Sequence, residues 1–358
     1  MSAKTPTPGP KVGNLAPALR AESEAIYAAA GAGVLGAIYG LVVALGAPDL
    51  QLEEVARSFG LLAAIGGSLV AIAVSITGYW RSRNLPGQEW RRSLPSWKFT
   101  VNTISVVIAH TALTFLAVYA GYRLIGQGFI GLPIITFWSI VLMSVTLGLT
   151  AYIVYLSVSR MTTQRMSSLL MAFVVIGTFT AMITTPDAGW WKIHFSQLGS
   201  FSDLSSYVFN GTLIAGGLLV TTFAVYIAND LTSLRRTRML QYSRAPRVVS
   251  TLFVIMGTML ALVGVFPVNV HLLLHNLSAI GMAIVFLVLL IAGPKVLRGM
   301  PSAYFLSSWA FLAATVVSIV LFFVGYFTLT ALEIIVFALI FAWIAVFIRF
   351  LGVTSQRA

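Results

Sequence analysis

Ten stretches of this chain are each long and apolar enough to cross a lipid bilayer, and that one feature decides most of what it can fold into. A helical crossing needs about 20 apolar residues. The stretches fall near 25–47, 59–80, 100–122, 131–158, 166–185, 207–229, 248–267, 271–293, 303–326 and 330–351. Each must be a helix, because an open strand would leave backbone N–H and C=O groups unpaired in hydrocarbon. Only 9% of the residues are charged and 58% are hydrophobic, whereas a soluble domain carries about 25% charged residues. The expected fold class is an all-α, polytopic transmembrane helix bundle.

The loops between these stretches alternate in charge. One side holds 19 of the 22 basic residues, among them Arg81, Arg91, Arg92, Arg160, Arg235, Arg236, Lys295 and Arg349. The other holds Arg57, Arg123 and Lys192 against Asp49, Glu53, Glu54, Asp187, Asp203 and Glu333. Basic loops stay in the cytoplasm, so both termini are expected inside. The formal charge of +12 is then a cytoplasmic rim facing anionic lipid headgroups, and nucleic acid is not needed to explain it. Trp80, Trp90 and Trp97 fall where an inner aromatic belt belongs, and Trp190 and Trp191 where an outer one does.

The stretch GAGVLGAIYG in the first span puts Gly36 and Gly40 one turn apart beside Ala32, a spacing that lets helix backbones approach closely. Cysteine is absent, which removes disulfides, thiolate metal sites and a Cys nucleophile. No phosphate-binding loop or dinucleotide fingerprint occurs, which argues against ATP-driven transport. The expected organisation is a disordered tail over 1–23, a four-span module over 24–160, a six-span core over 161–352 and a short tail over 353–358.

Chemistry-bearing residues gather in WWKIHFSQLGSFSDLSSYVFN, residues 190–210, and in the helix ends that would meet it. His271 and His275 are four apart, so on a continuous helix they share one face. His194, Asp203 and Asn210 come from the loop and the start of the sixth span. Three readings of this constellation compete. His271 and His275 with His194 could supply three ligands to zinc, leaving a position for water, whose pKa the metal would lower. Transmembrane histidines could instead hold a haem, with His110 as a partner. In the third, His271 and His275 hydrogen-bond the loop and lock it as a lid. Ser196 lacks a Gly-x-Ser-x-Gly elbow, and Asp187 and Asp203 fit a turn and a helix cap. His110, mid-span, must find a hydrogen-bonding neighbour.

His194-Phe-Ser196-Gln-Leu198-Gly199, then Phe209-Asn210 opening a helix with Gly216-Gly217, then Gly264-Val-Phe266-Pro267 before His271, resemble a family of bacterial and archaeal membrane proteins. That family is known only as domain of unknown function 998, with a six-span core. The pattern looks more distantly like the eukaryotic FRAG/DRAM/SFK-type membrane proteins, some linked to lipid-anchor remodelling. The resemblance covers about 166–351 and implies the six-span core. Family members often carry Asp after the loop Ser, where this chain has Gln197. The function expected is an outward-facing polar site acting on a lipid or lipid-linked substrate. In it, His194, Asp203 and His271 would be catalytic, and Ser196, Asn210, Trp190 and Trp191 would contact substrate. The alternatives are a scaffold or permease with residues 186–206 as a lid, and a haem-binding electron carrier.

Overall fold

The computed structural model describes residues 15–48, 50–52, 58–85, 88–129, 133–200 and 203–357. The expected tail over 1–14 lies outside the described residues, as do Asp49, Glu53, Glu54 and Arg57. Ten helices are long and apolar enough to span a membrane. They are α1 (Leu15–Gly46), α2 (Phe59–Ser82), α3 (Ser96–Gly126), α4 (Thr136–Ser159), α5 (Thr163–Thr184), α6 (Leu204–Arg236), α7 (Ala245–Val265), α8 (Val268–Val296), α9 (Ser302–Phe323) and α10 (Leu329–Arg357). Among the described residues no strand forms, only two isolated bridges, Gln51 with Pro133 and Arg298 with Met300. The protein is the all-α, multi-pass membrane bundle that its hydrophobic runs require.

Two element ends differ from expectation. α1 begins at Leu15 and α10 runs to Arg357, so the tails expected to extend to 23 and to start at 353 are helical where they are described. The segment Leu15–Glu24 is rich in Ala, Leu and Glu, which lose little side-chain freedom in a helix. Other ends follow local chemistry. Ser58 and Thr162 cap α2 and α5 by accepting the N–H of Leu61 at 3.1 Å and of Arg165 at 3.2 Å.

The chain divides after Met161 into two compact units. In the first, α4 packs on both α1 and α2, and α2 packs on α3. A Cβ at Gly36 would sit 2.6 Å from the Met143 carbonyl oxygen, so α1 and α4 touch backbone to backbone there. The hydroxyls of Ser139 and Ser144 donate across the same seam to the carbonyls of Gly40 and Gly33, each at 2.8 Å. The small-residue stripe of the first span is therefore a helix–helix contact. At one end of this unit Arg81 and Arg20 reach Glu24 at 3.0 and 3.3 Å, and Tyr155 donates to the same carboxylate. Arg160 pairs with Glu22 at 2.8 Å, and Tyr152 donates to it.

The second unit holds α5–α10. α6 and α7 cross at Gly217 and Gly257, where a Cβ on Gly257 would lie 2.6 Å from the Gly217 carbonyl oxygen. The Gly216-Gly217 pair thus serves close packing, and α6 runs from Leu204 to Arg236 without a break, unlike the discontinuous helices that form transporter sites. Below the site described next, Trp343 is buried and stacks on Phe347 at 5.4 Å and on Phe253 at 6.3 Å. Its indole N–H donates to the Ser308 hydroxyl at 3.2 Å, which meets the demand of a buried polar group in an apolar core.

Candidate functional site

The segment joining α5 to α6 is held by its own polar side chains. Asp187 Oδ1 accepts the Gly189 N–H at 2.8 Å, closing an Asx turn. A 3-10 turn follows at Trp190–Lys192, and a second 3-10 helix runs Phe195–Gly199. Asp203 caps α6 by accepting the Ser206 N–H at 2.8 Å through Oδ1. Asn210, one turn into α6, donates to the Gly199 carbonyl at 2.9 Å. Its amide occupies the space a Cβ on Gly199 would need. Phe195 is buried and meets Phe209 of α6 at 5.1 Å and Phe337 of α10 at 5.7 Å, edge to face.

The junction of α7 and α8 explains which histidine reaches this segment. Phe266 precedes Pro267, and a residue before proline is driven out of the helical region; it adopts φ −115°, ψ 76°. The first turn of α8 closes with the Val270 N–H on the Pro267 carbonyl at 2.9 Å, so the Phe266 carbonyl has no helical partner there. His275 fills that role: its Nδ1 lies 2.9 Å from the Phe266 oxygen. A carbonyl only accepts, so Nδ1 carries the proton and Nε2 presents its lone pair. That lone pair faces the Ser196 hydroxyl at 3.0 Å, so Ser196 donates to His275.

His271 does something else. Its backbone is non-helical at φ −154°, ψ 84°, and its Nδ1 accepts the Leu274 N–H at 3.3 Å. It caps the long part of α8, is exposed, and packs edge-on against Phe266 at 6.2 Å. The expectation that His271 and His275 share a helical face is corrected, because the break at His271 falls between them. Of the two, only His275 bonds the loop.

Glu333, near the start of α10, closes the arrangement. Its Oε2 accepts the Phe195 N–H at 2.6 Å, and its carboxylate also takes the Ser196 N–H. Two amide donors stand where a cation would pair with this half-buried carboxylate. Ser196 and Glu333 line a cavity of about 450 Å³ with Asn276 of α8. Thr315 of α9, whose hydroxyl donates to the Phe311 carbonyl at 2.8 Å, also lines it; the rest of the wall is apolar and includes Phe209 of α6, Leu260 of α7, Ile280 and Phe286 of α8, Ile319 of α9 and Val336 of α10.

The other expected site residues take the following places. His194 is half-buried with its Nδ1 enclosed and without a hydrogen-bond partner. Burial first, and then the nearby His275, holds its imidazole below the ordinary value. Asp203 makes its Oδ1 cap while Oδ2 has no partner, so neither histidine of α8 is oriented by it. Asn210 clamps Gly199 and is not on the cavity wall. Trp190 packs toward Phe195 at 6.4 Å; Trp191 is 53% exposed with the Lys192 ammonium 5.5 Å over its ring.

Among the described residues no three His, Asp or Glu side chains gather closely enough to hold a metal ion. The zinc set of His194, His271 and His275 is therefore not assembled, because the cap turns His271 away. His110 is also committed, with Nδ1 on the Val106 carbonyl at 2.8 Å and Nε2 on the Ser157 hydroxyl at 2.9 Å, which leaves no nitrogen for a haem. The sequence places Glu333 among the few acids of the less basic side and does not bring it to the site. The available signal was a lone carboxylate, the last acid in the chain, inside an apolar span.

A family model described as protein of unknown function (DUF998) matches residues 166–349, within the second unit and more than half of the chain. No curated protein and no solved structure matches the chain.

Proposed function

The chain belongs to the DUF998 family of proteins of unknown function, and from that premise we propose that its second unit takes up the apolar chain of a membrane amphiphile. The polar end of that ligand rests on Ser196, Asn276 and Glu333. The observation that carries this reading is the cavity of about 450 Å³, mostly apolar along α6–α10 and with Ser196, Asn276 and Glu333 on its wall. Its size is within the roughly 300–1,000 Å³ of small-molecule sites, and its pattern of apolar walls with a few convergent polar groups is typical of them. The residues around it point into lipid: Leu273, Leu277 and Ile280 on α8 are 63%, 56% and 57% exposed. A hydrocarbon chain can pass from bilayer to cavity without crossing water. The charge bias of the loops supports a mouth on the outer face, with the basic rim on anionic headgroups and Trp191 docked at the interface.

A photoreactive fatty-acyl probe in nanodiscs tests the proposal. Crosslinks are expected at Ile280, Leu287 and Ile319, and Ala283→Trp, which fills the cavity from α8, should remove them. Crosslinks that persist unchanged in Ala283→Trp would sink the proposal.

A further inference from the structure

We infer that Ser196 and His275 form a nucleophile–base pair that accepts an acyl group from a long-chain carboxylic ester bound in the cavity. The inference rests on the chain-binding reading above and adds a reaction to it. The juxtaposition comes from 79 residues away in sequence, with the Ser196 hydroxyl 3.0 Å from His275 Nε2.

Three features equip the pair for chemistry, the first of which His110 and Ser157 share. The first is the tautomer. The Phe266 carbonyl, freed from the helix by Pro267, fixes the proton on Nδ1 and leaves Nε2 able to take one. A base oriented by a third group through its other nitrogen is the arrangement that activates a serine. The second is placement. Ser196 lines the cavity and His275, 3% exposed, stands behind it, so the base is screened from water while the hydroxyl borders the space a substrate carbonyl would enter. The third is rigidity. Glu333 takes the N–H groups of Phe195 and Ser196, and Asn210 takes the far end of the same short helix at Gly199, so the serine backbone is held at both sides. Asn276 brings a side-chain amide donor to the same cavity wall, of the kind that stabilises a developing oxyanion.

The step balances without a further reagent. Ser196 Oγ bonds to the ester carbonyl carbon as its proton passes to His275 Nε2. The bond from that carbon to the ester oxygen breaks, and the departing alcohol takes the proton from His275. The acyl-serine then passes its acyl group to water or to a second alcohol, with His275 removing and returning the proton in the same way.

An alkyl fluorophosphonate copies the first half of this sequence: the Ser196 oxygen bonds to phosphorus and fluoride leaves. Full-length protein in nanodiscs should gain one adduct, mapped by mass spectrometry to the peptide holding Ser196. Ser196→Ala should abolish it, and His275→Gln should slow it on the order of 100-fold. Circular dichroism and capture of the photoreactive acyl probe verify that each variant is folded and loaded. An unmodified Ser196 in wild-type protein that still captures the acyl probe would overturn the inference and leave chain binding standing, with the pair serving as a latch. Loss of both labelling and capture in folded wild-type protein would overturn the chain-binding reading and the inference with it.

Discussion

The two units handle their polar groups in different ways. In the first, charge meets charge: Glu24 lies between Arg20 and Arg81, and Glu22 meets Arg160. His110 is buried between the Val106 carbonyl and the Ser157 hydroxyl, the same two kinds of partner that His275 has in the second unit. In the second, the carboxylate of Glu333 meets backbone amides, and Ser196, backed by His275, lines a largely apolar cavity. Opposite charges that neutralise each other fix helices, and little of their field remains for a ligand. A serine, a carboxylate and an amide on the wall of a largely apolar space can meet the polar end of whatever enters it. The comparison teaches that the charged groups of the first unit tie helices together, while several polar groups of the second line a cavity.

The sharpest way to break the comparison is to attack the packing of the first unit. Gly40→Leu must push α1 from α4, since even a Cβ would lie 2.5 Å from the Ser139 carbonyl oxygen. A loss of about 3 kcal/mol is expected from overpacking, measured by thermal unfolding in detergent. Gly31→Ala on the same helix meets nothing within 4 Å and should change stability by less than about 0.5 kcal/mol. Equal effects of the two would remove the argument that this seam is a tight contact.

Next in size is Glu333→Ala in the second unit. Two backbone donors lose a charged acceptor, and a cost of about 2 kcal/mol follows for hydrogen bonds of that kind. Emission from Trp190 and Trp191 should shift red as the segment loosens. An unmoved spectrum and melting temperature would mean that Glu333 does not hold the segment.

Gly199→Ala is expected to cost about 1.5 kcal/mol by pressing on the Asn210 amide. In a double-mutant cycle, Gly199→Ala with Asn210→Ala should cost less than the sum of the single changes, because each residue is the other's obstacle. Additive effects would place the strain elsewhere.

The smallest effect concerns pH. The folded state holds His194 below its ordinary value, by burial and by the neighbouring His275, so the unfolded chain binds the proton more readily. Its contribution is therefore complete above the ordinary value of about 6.5 and is lost as pH falls through the folded value. Melting temperature should drop between pH 7 and 5, and drop less in His194→Gln. Identical slopes in the two proteins would show that His194 does not titrate with folding.

Much of this was legible in the residues themselves. Hydrophobic length set the ten spans, and Gly36 and Gly40 marked a close helix contact that proves to be with α4. Asp203 read as a cap is a cap, and the loop and helix-end motifs pointed to the family that matches residues 166–349. Such features are local: span length, capping chemistry and small-residue spacing act within a few residues and need no knowledge of neighbours.

What the sequence could not settle is which side chains meet. A spacing of four made His271 and His275 a pair, yet the extended backbone forced at Phe266 by Pro267, and the break at His271, turned one into a cap and aimed the other at Ser196. Glu333 reaches Phe195 across 138 positions. Contacts of that range depend on which helices lie side by side, and hydrophobic patterning in lipid says little about that, because the bilayer accepts any apolar face equally well. The sequence by itself determined a ten-span membrane protein with a polar segment above its fifth and sixth helices. Only the tertiary structure decided that the segment roofs an apolar cavity, and that one of four histidines stands at its edge with a serine in reach.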